Sequence, residues 1–315
     1  MSFKPYYLAI DTETEGVDYF SYPFCISACS GDSTWFWHLE DSDLSELRML
    51  MSKAKGLVFH NAKFDLRRLE MIGLMNPLDP TFDWTFIHDT ECLSHLLNEQ
   101  QPKSLARLAK DFLGKDTDEK EELRKVRRKL KLKKSDGYQN IPRDIIMKYA
   151  MWDAEATWEL FMHLAPQVFS DSTLKYLYEE EQRLLGILYK MENKGLKVDL
   201  GYVENQAQLL SNKILELEVK LRDLVGKEEF NPDSYVQVQA AFKERNISLE
   251  STNKHTLLGV QDELAMTLLE YRRCKKIYKT YIVPLLQEQR DGIIHPNFKQ
   301  WGTRGRRFSS GQVEV

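Results

Sequence analysis

Short apolar runs alternate with amphipathic stretches through the first half of the chain, a pattern typical of an α/β layer fold. The apolar and aromatic runs predict strands at Tyr6–Ile10, Phe24–Ala28, Thr34–His38 and Gly56–His60. Helical spacing of apolar residues predicts helices at Leu44–Met51, at Phe64–Ile72 and, in two pieces broken at Pro102, at Leu93–Leu113. The first strand is expected to end at Asp11, Ser30–Ser33 predict a hairpin turn, and Pro142 is expected to open a further helix.

Long helical patterns dominate from about residue 172 onward. Helices are predicted at Leu174–Lys194, Tyr202–Val225 and Asp262–Gln289, and no strand-rich stretch is expected after residue 200. A length of 315 residues is typical of about two domains. The change of pattern near residues 165–172 therefore predicts an α/β domain over residues 1–170 and a mostly α region over residues 171–315.

Composition narrows the class of protein. Hydrophobic residues make up 42% and charged residues 29%, which is ordinary for a globular protein and argues against disorder as the main state. No apolar run approaches the ~18 residues that cross a membrane, and no signal peptide is expected, because the apolar run at Tyr6–Ile10 is short and leads directly into Asp11. The four cysteines lack zinc-site spacing, so reduced thiols are expected.

Charge is unevenly distributed along the chain. The net charge of −4 does not exclude a nucleic-acid partner, because basic residues cluster at Arg124–Lys134 and Arg304–Arg307. Arg124–Lys134 is compatible with a basic helix or with a mobile loop. Its two functional interpretations are a solvated charged face and a surface that follows a nucleic-acid backbone.

Three short polar clusters carry the candidate chemistry. They are Asp11 with Glu13 on the first strand, Asn61 with Asp65 at a strand-to-helix junction, and Tyr149 with Asp153 one helical turn apart. Each alone has an ordinary interpretation, as solvated turn residues, surface ion pairs or a core-edge aromatic. Residues i and i+2 of a strand share a face, so Asp11 and Glu13 repel each other unless a cation lies between them.

Taken together, the four carboxylates indicate a metal site. Hard oxygen ligands suit Mg²⁺ or Mn²⁺, and the lack of nearby His and Cys argues against zinc. Two such ions about 3.5–4 Å apart activate a water and stabilise the leaving oxygen in phosphodiester hydrolysis. Tyr149, on the same helix face as Asp153, is a candidate for orienting the attacking water.

Three segments resemble the motifs of the DEDD superfamily of 3′–5′ exonucleases: IDTETEG, HNAKFDLRRL and YAMWDAEAT. The tyrosine four residues before the last aspartate is similar to the tyrosine-containing (DEDDy) branch. HDTECLSHLL and KSLARLAKDFLG resemble the stretch between the second and third motifs of polymerase proofreading domains. The resemblance covers about residues 6–165 and implies a ribonuclease H-like fold, with a mixed sheet flanked by helices.

The resemblance also implies roles by position. Asp11, Glu13 and Asp153 would hold the metal that binds the attacking water, Asp11 would bridge to the second metal, and Asp65 would act at that second metal. Tyr149 would orient the nucleophile. Thr12, Asn61 and Phe64 would shape the pocket for the terminal nucleotide, and Phe64 and Val17 would wedge or stack the terminal base. Glu15 departs from the family pattern, which has Thr there.

The second half resembles the region that follows the exonuclease in family A DNA polymerases. The segments concerned are MENKGLKVD, FNPDSYVQVQ, LLEYRRCKKIYKTYIVPLL and DGIIHPNFKQWGTRGRRFSS. The third resembles the thumb helix, so Arg272 and Lys276 would contact DNA. In the fourth, Arg307 matches the family pattern and would also contact DNA, whereas Gly305 and Arg306 stand where the family has Thr and Gly. From composition alone, YRRCKKIYKTY fits a snorkelling amphipathic face equally well.

The resemblance implies a proofreading exonuclease with a partial, thumb-like helical domain, acting on DNA 3′ ends with two Mg²⁺ or Mn²⁺. Palm and fingers, which follow in that family, are not expected within these residues, so this chain alone is not expected to polymerise DNA. A phage-type polymerase and a cytoplasmic location, the host cytoplasm for a phage protein, are expected by analogy. The alternatives are a ribonuclease D-like RNA exonuclease and a DNA-binding subunit of a split polymerase with its palm and fingers on another chain.

Overall fold

A computed structural model describes residues 6–16, 18–116, 118–132, 136–302 and 307–311. Its strands are β1 Tyr7–Thr14, β2 Pro23–Ser30, β3 Ser33–His38, β4 Gly56–Phe59, β5 Ile87–Asp89, β6 Leu196–Lys197, β7 Ile293–Ile294, β8 Asn297–Lys299 and β9 Ser309–Gly311. Its α-helices are α1 Ser45–Lys53, α2 Ala62–Met71, α3 Thr90–Leu97, α4 Leu105–Leu113, α5 Asp118–Lys129, α6 Arg143–Ser170, α7 Ser172–Lys194, α8 Leu200–Val225, α9 Tyr235–Glu244, α10 Lys254–Leu258, α11 Glu263–Ile277 and α12 Val283–Glu288. A 3-10 turn covers Trp84–Phe86, and a π-helical turn covers Tyr278–Ile282.

The chain forms two compact units. Unit 1 contains residues 1–194 and 296–315, and unit 2 contains residues 195–295. The α/β architecture predicted for the first half and the mostly helical character of the second half are both confirmed. The domain boundary at residues 170 and 171 stays a prediction.

Unit 1 is built on a five-stranded mixed sheet with strand order β3-β2-β1-β4-β5. The β1–β2 and β2–β3 pairs are antiparallel, and the β1–β4 and β4–β5 pairs are parallel. One face buries Leu8 and Ile10 against residues of α1 and α2. The other face buries Ala9 and Val58 against residues of α3, α4 and α6. Helices therefore cover the sheet on both sides.

The first strand is longer than expected. Its predicted end at Asp11 is wrong, because pairing with β2 continues through Asp11↔Ser27 and Glu13↔Cys25. Pairing with β4, by contrast, stops at Ala9↔Val58. The second half of β1 therefore runs beyond the end of its parallel neighbour, and Asp11, Thr12 and Glu13 lie on this part of β1, which is not paired with β4.

The basic segment adopts the helical alternative over most of its described length, since α5 runs to Lys129. Arg124, Lys125, Arg128 and Lys129 are exposed, while Leu123 is buried in a small cluster with Ile146 and Tyr149. Residues 133–135 lie outside the described part of the chain. After residue 200 the structure contains short strands that the sequence pattern does not predict, because two- and three-residue strands carry no periodic signal.

Unit 2 is organised around the packing of α8 and α11. Its core includes Leu221, Phe242 and Leu268, together with Tyr271, which is fully buried. The Tyr271 hydroxyl donates to Glu218 Oε1 at 2.9 Å. At the start of α9, the Ser234 side chain caps the helix by accepting the N–H of Gln237.

A buried charged contact ties the β8–β9 hairpin of unit 1 to two helices. Lys63 on α2 forms an ion pair with Glu192 at the end of α7, and both side chains are about nine-tenths buried. The Phe298 N–H donates to Glu192 Oε1 at 2.7 Å, and the Lys63 ammonium donates to the Phe298 carbonyl. The three groups satisfy one another, so loss of one partner leaves a charge without compensation.

We expect Glu192→Ala to lower the free energy of unfolding of unit 1 by about 3–5 kcal/mol, because it leaves the buried Lys63 ammonium without its carboxylate partner. All six tryptophans lie in unit 1, so urea denaturation followed by tryptophan fluorescence measures this unit. The matched control is Glu180→Ala, which breaks an exposed i,i+3 pair with Arg183 and should cost less than about 1 kcal/mol. Equal losses of stability in the two variants contradict the prediction.

Candidate active site

Alternation along β1 directs Asp11 and Glu13 to one face of the sheet. Side chains of a strand point alternately to its two faces. Ala9 packs on the face that α6 covers, so Asp11 and Glu13, two and four residues later, point the same way. The acidic pair therefore faces α6, the helix that carries Tyr149 and Asp153.

Small residues bring α6 close to the sheet. Ala150 and Ala154 are fully buried, and the Ser27 hydroxyl on β2 donates to the Ala150 carbonyl at 2.7 Å. Tyr149 and Asp153 lie one turn apart on this helix, and both are nearly fully buried. The helix is thereby seated where Asp153 reaches the end of β1.

Asp11, Glu13 and Asp153 form a compact group of carboxylates. Each offers one oxygen, and the three oxygens lie within 4.8 Å of one another. Oδ2 of Asp11 and Oδ1 of Asp153 are buried without a hydrogen-bond partner among the described residues. Burial raises the pKa of all three carboxyl groups, and neighbouring carboxylates raise the pKa of Asp11 and Glu13 further.

This group has the chemistry of a divalent-cation site. Buried like charges are unfavourable unless a cation or a proton compensates them, and the two unpaired oxygens accept no hydrogen bond from the described part of the chain. Carboxylate oxygens are the ligands that Mg²⁺ and Mn²⁺ prefer. The three residues present therefore fit a hard divalent ion.

Asp65 approaches β1 from the opposite face of the sheet. It lies in the first turn of α2 and is almost completely buried. Because β4 has ended, the Thr12 N–H donates to Asp65 Oδ1 at 2.9 Å instead of to a strand, and the Thr12 hydroxyl donates to the same oxygen at 2.7 Å. Burial raises the pKa of Asp65 to about 7, although the two hydrogen bonds from Thr12 act to lower it. Asp65 is not one of the group of three, although its charge raises the pKa of Asp11 and Glu13.

Tyr149 supplies a neutral hydroxyl beside the acids. Burial, with the charges of Asp153 and Glu13, raises the pKa of Tyr149 well above its usual value, so its proton stays in place. A hydrogen bond from this hydroxyl favours the ionised form of Asp153. The Tyr138 ring packs edge-on against Tyr149, with ring centroids 5.7 Å apart.

Asp89 organises the second motif, and no role was predicted for it. It lies at the end of β5 and accepts the N–H groups of Ala62 and Glu91, both at 2.8 Å, and of Asn61 at 3.3 Å. One carboxylate thus caps the N-termini of both α2 and α3. Its signal in the sequence is an aspartate directly before the α3 pattern, but its partnership with α2 depends on β4 and β5 being neighbours.

The predicted nucleotide-contact residues are found in different settings. Asn61 adopts a left-handed backbone conformation with φ 71° and makes no side-chain cap bond, and Phe64 is covered by the Arg68 guanidinium at 4.0 Å. In unit 2, Arg272 donates to the Thr252 carbonyl, and Lys276, one turn later on α11, is exposed. Arg307 is exposed in unit 1. Val17, Gly305 and Arg306 lie outside the described residues.

Comparison with known proteins gives concordant results for both halves. Residues 2–168 match the protein family described as 3′-5′ exonuclease, and residues 185–314 match the family described as DNA polymerase family A. The DNA polymerase of Escherichia phage T5 is 30% identical over 302 residues, covering 85% of this chain and 34% of that protein. DNA polymerase DpoZ of Vibrio phage phiVC8 is 28% identical, covering 92% and 51%. DNA polymerase I of Borreliella burgdorferi is 23% identical, covering 98% and 34%.

A solved structure shares the fold over almost the whole chain. It is the polymerase domain of Pol1 from M. smegmatis in complex with DNA primer-template and dNTP, with a TM-score of 0.69 and 20% identity. The match covers 98% of this chain and 51% of that one. This chain spans between a third and a half of the length of these three curated relatives. None of the helices in the described ranges has the length and apolar character required to cross a bilayer.

Proposed function

Because this chain belongs to the 3′–5′ exonuclease family, and its second half matches DNA polymerase family A, we propose that it removes nucleotides from DNA 3′ ends as the proofreading part of such a polymerase. The observation that carries the proposal is the compact group of three carboxylates, two of them on buried residues, with the Tyr149 hydroxyl hydrogen-bonded to Asp153. The proposed domains are an exonuclease over residues 1–170 and a partial thumb over residues 171–315. The proposed location is the cytoplasm, because the relatives belong to bacteria and phages.

The proposed mechanism assigns each side chain a distinct task. Asp11, Glu13 and Asp153 would hold divalent ions, two Mg²⁺ or Mn²⁺ in the full site, and Asp65 would act at the second ion. Bound there, such ions neutralise the phosphodiester and lower the pKa of the attacking water. Tyr149 accepts a hydrogen bond from that water on the oxygen through which it donates to Asp153, and so fixes the direction of attack.

Substrate contacts follow from the neighbouring residues. Asn61 and Phe64 precede Asp65 by four residues and one residue, and they are proposed to hold the terminal nucleotide by hydrogen bonding and stacking. The Thr12 hydroxyl already donates to Asp65, so its contribution to substrate binding is to keep that carboxylate in place. Arg272, Lys276 and Arg307 are proposed to contact primer–template phosphates.

The direct test is a 5′-labelled DNA primer with a 3′ mismatch, incubated with Mg²⁺, with Mn²⁺ and with chelator. Stepwise shortening from the 3′ end that requires the metal supports the proposal. An RNA oligonucleotide of the same sequence tests the ribonuclease D-like alternative, which predicts faster shortening of RNA. DNA that is bound but never shortened favours the binding-subunit alternative.

We expect the exposed basic residues of α5 to follow the single-stranded backbone. Replacing four of them by glutamine should make the dependence of log Kd on log salt shallower, by up to about 0.7 for each phosphate that the variant no longer neutralises. The four are Arg124, Lys125, Arg128 and Lys129. The measurement is the fluorescence anisotropy of labelled single-stranded DNA at several salt concentrations from about 50 to about 300 mM. A range of this width resolves the slope of log Kd against log salt.

A charge-matched control removes four exposed lysines from other helices of unit 1. These are Lys53, Lys110, Lys175 and Lys190. It should change the slope less than the α5 variant. Equal slopes in the two variants and the wild type assign α5 to the solvated-face interpretation.

A further inference from the structure

Lys120 is a cation beside the acidic group that no motif predicts. It lies in the first turn of α5, and its ammonium is 5.9 Å from the centroid of the Tyr149 ring. Among the described residues, no carboxylate oxygen lies within 4.0 Å of it. The charge is therefore close to the candidate active site without being neutralised there.

Packing holds Lys120 in this position. Leu123, three residues later on the same side of α5, is 1% exposed and packs with Ile146 and Tyr149 of α6. Positions i and i+3 of a helix are neighbours, so the contact that anchors Leu123 also directs Lys120 towards Tyr149. The packing of α5 against α6 therefore determines where Lys120 lies, in addition to the conformation of its own side chain.

The position is unfavourable for helix stability. A cation in the first turn opposes the helix dipole, and the surrounding residues Asp118, Glu119 and Glu121 are the acids that this turn prefers. Departures from a local rule within an otherwise consistent helix occur mainly at functional sites. Lys120 is such a departure, and it lies on the side of α5 that faces the acids.

Lys120 acts on all three carboxylates at a distance. Burial raises the pKa of Asp11, Glu13 and Asp153, and Lys120 is the cation that opposes this rise in each of them. No carboxylate oxygen of the described residues lies within 4.0 Å of the ammonium, so its charge acts on these groups without forming an ion pair. Metal ions at the carboxylates and the Lys120 ammonium would both attract the negative oxygens of a phosphodiester bound between them.

We propose that the Lys120 ammonium contacts a non-bridging oxygen of the scissile phosphodiester, and that α5 delivers it over the Tyr149 ring. This inference rests on the proposed exonuclease function. Negative charge increases on those oxygens as the attacking water adds, so a preorganised cation there lowers the barrier more than it tightens ground-state binding. Lys120 is then a catalytic residue of the cleavage step.

The test compares Lys120→Ala, Lys120→Met and Lys120→Arg in single-turnover cleavage of a labelled single-stranded DNA at saturating protein. Lys120→Met keeps the apolar stem over Tyr149, so it reports loss of charge even where alanine disturbs α5. We expect the alanine and methionine variants to cleave about 10-fold to 100-fold more slowly, and arginine to restore part of the rate. Lys110→Ala, an exposed lysine of α4, is the matched control and should keep the wild-type rate.

Mn²⁺ binding without DNA separates this role from a structural one. Removing a positive charge near three carboxylates favours cation binding, so the slow variants should bind Mn²⁺ as tightly as the wild type or more tightly. Slower cleavage with unchanged or tighter Mn²⁺ binding supports the proposal. Cleavage within twofold of the wild type overturns it, as does a loss of rate accompanied by an equal loss of Mn²⁺ affinity. Wild-type protein that leaves DNA intact refutes the exonuclease function itself, which is a distinct result.

Discussion

Replacing Asp11 and Glu13 together by alanine is expected to slow removal of the 3′-terminal nucleotide by about 10⁴-fold or more, because residues that act as one unit lose nearly all activity together. The pair contributes two of the three carboxylates whose oxygens lie within 4.8 Å. Asp153 alone cannot hold an ion in a defined position. The measurement is the length distribution of a labelled 3′-mismatched DNA over time, in Mg²⁺ and in Mn²⁺.

Neutralising the same two residues without changing their size is expected to raise the metal-free stability. The carboxyl groups of Asp11 and Glu13 are desolvated and lie beside other carboxylates, so the folded protein without metal is destabilised by their repulsion. The isosteric variant Asp11→Asn/Glu13→Gln should therefore unfold at higher urea than the wild type in the presence of chelator, while being equally inactive. A variant that is inactive and also less stable indicates a folding defect and contradicts this account of the site.

The second large effect is a fall in metal-free stability as pH rises. Burial raises the pKa of Asp65 to about 7 and of Asp153 to about 6, whereas such groups titrate near 3.9 in an unfolded chain. Between about pH 4 and pH 7 the folded protein binds more protons than the unfolded chain. The free energy of unfolding therefore decreases as the pH increases through this range. The metal-free protein is therefore expected to be most stable below about pH 4 and to lose this stability as the pH rises to about 6–7. The expected loss in the free energy of unfolding is on the order of 4 kcal/mol for Asp65 alone.

Divalent metal should reverse this trend. The ligands must be deprotonated to bind an ion, so Mn²⁺ should stabilise unit 1 more at pH 8 than at pH 5. Urea titrations followed by tryptophan fluorescence measure the pH dependence of stability both with Mn²⁺ and with chelator. Asp11→Asn/Glu13→Gln is the control, and it should show a flatter pH dependence and little stabilisation by metal. Metal-free stability that rises between pH 5 and pH 8 is the contradicting result.

Local pattern in the sequence was sufficient for the elements and for much of the candidate site. Apolar and aromatic patterns located β2, β3 and α1 to within a few residues, and Pro142 marked the start of α6. The i, i+2 spacing of Asp11 and Glu13 and the i, i+4 spacing of Tyr149 and Asp153 determined which side chains share a face. These relations depend only on the repeat of a strand or a helix, so they can be derived without knowing how the elements pack.

Relations between distant segments were decided by the tertiary structure. Asp65 bonds to Thr12 only because β4 stops at Phe59 and leaves the N–H of Thr12 without a strand partner. Asp89 caps two helices only because β4 and β5 end side by side. The place of Lys120 depends on how Leu123 packs against α6. Sequence spacing determines the direction of a side chain along its own element, whereas its partners across the sheet are determined by long-range strand pairing and by the packing of the core.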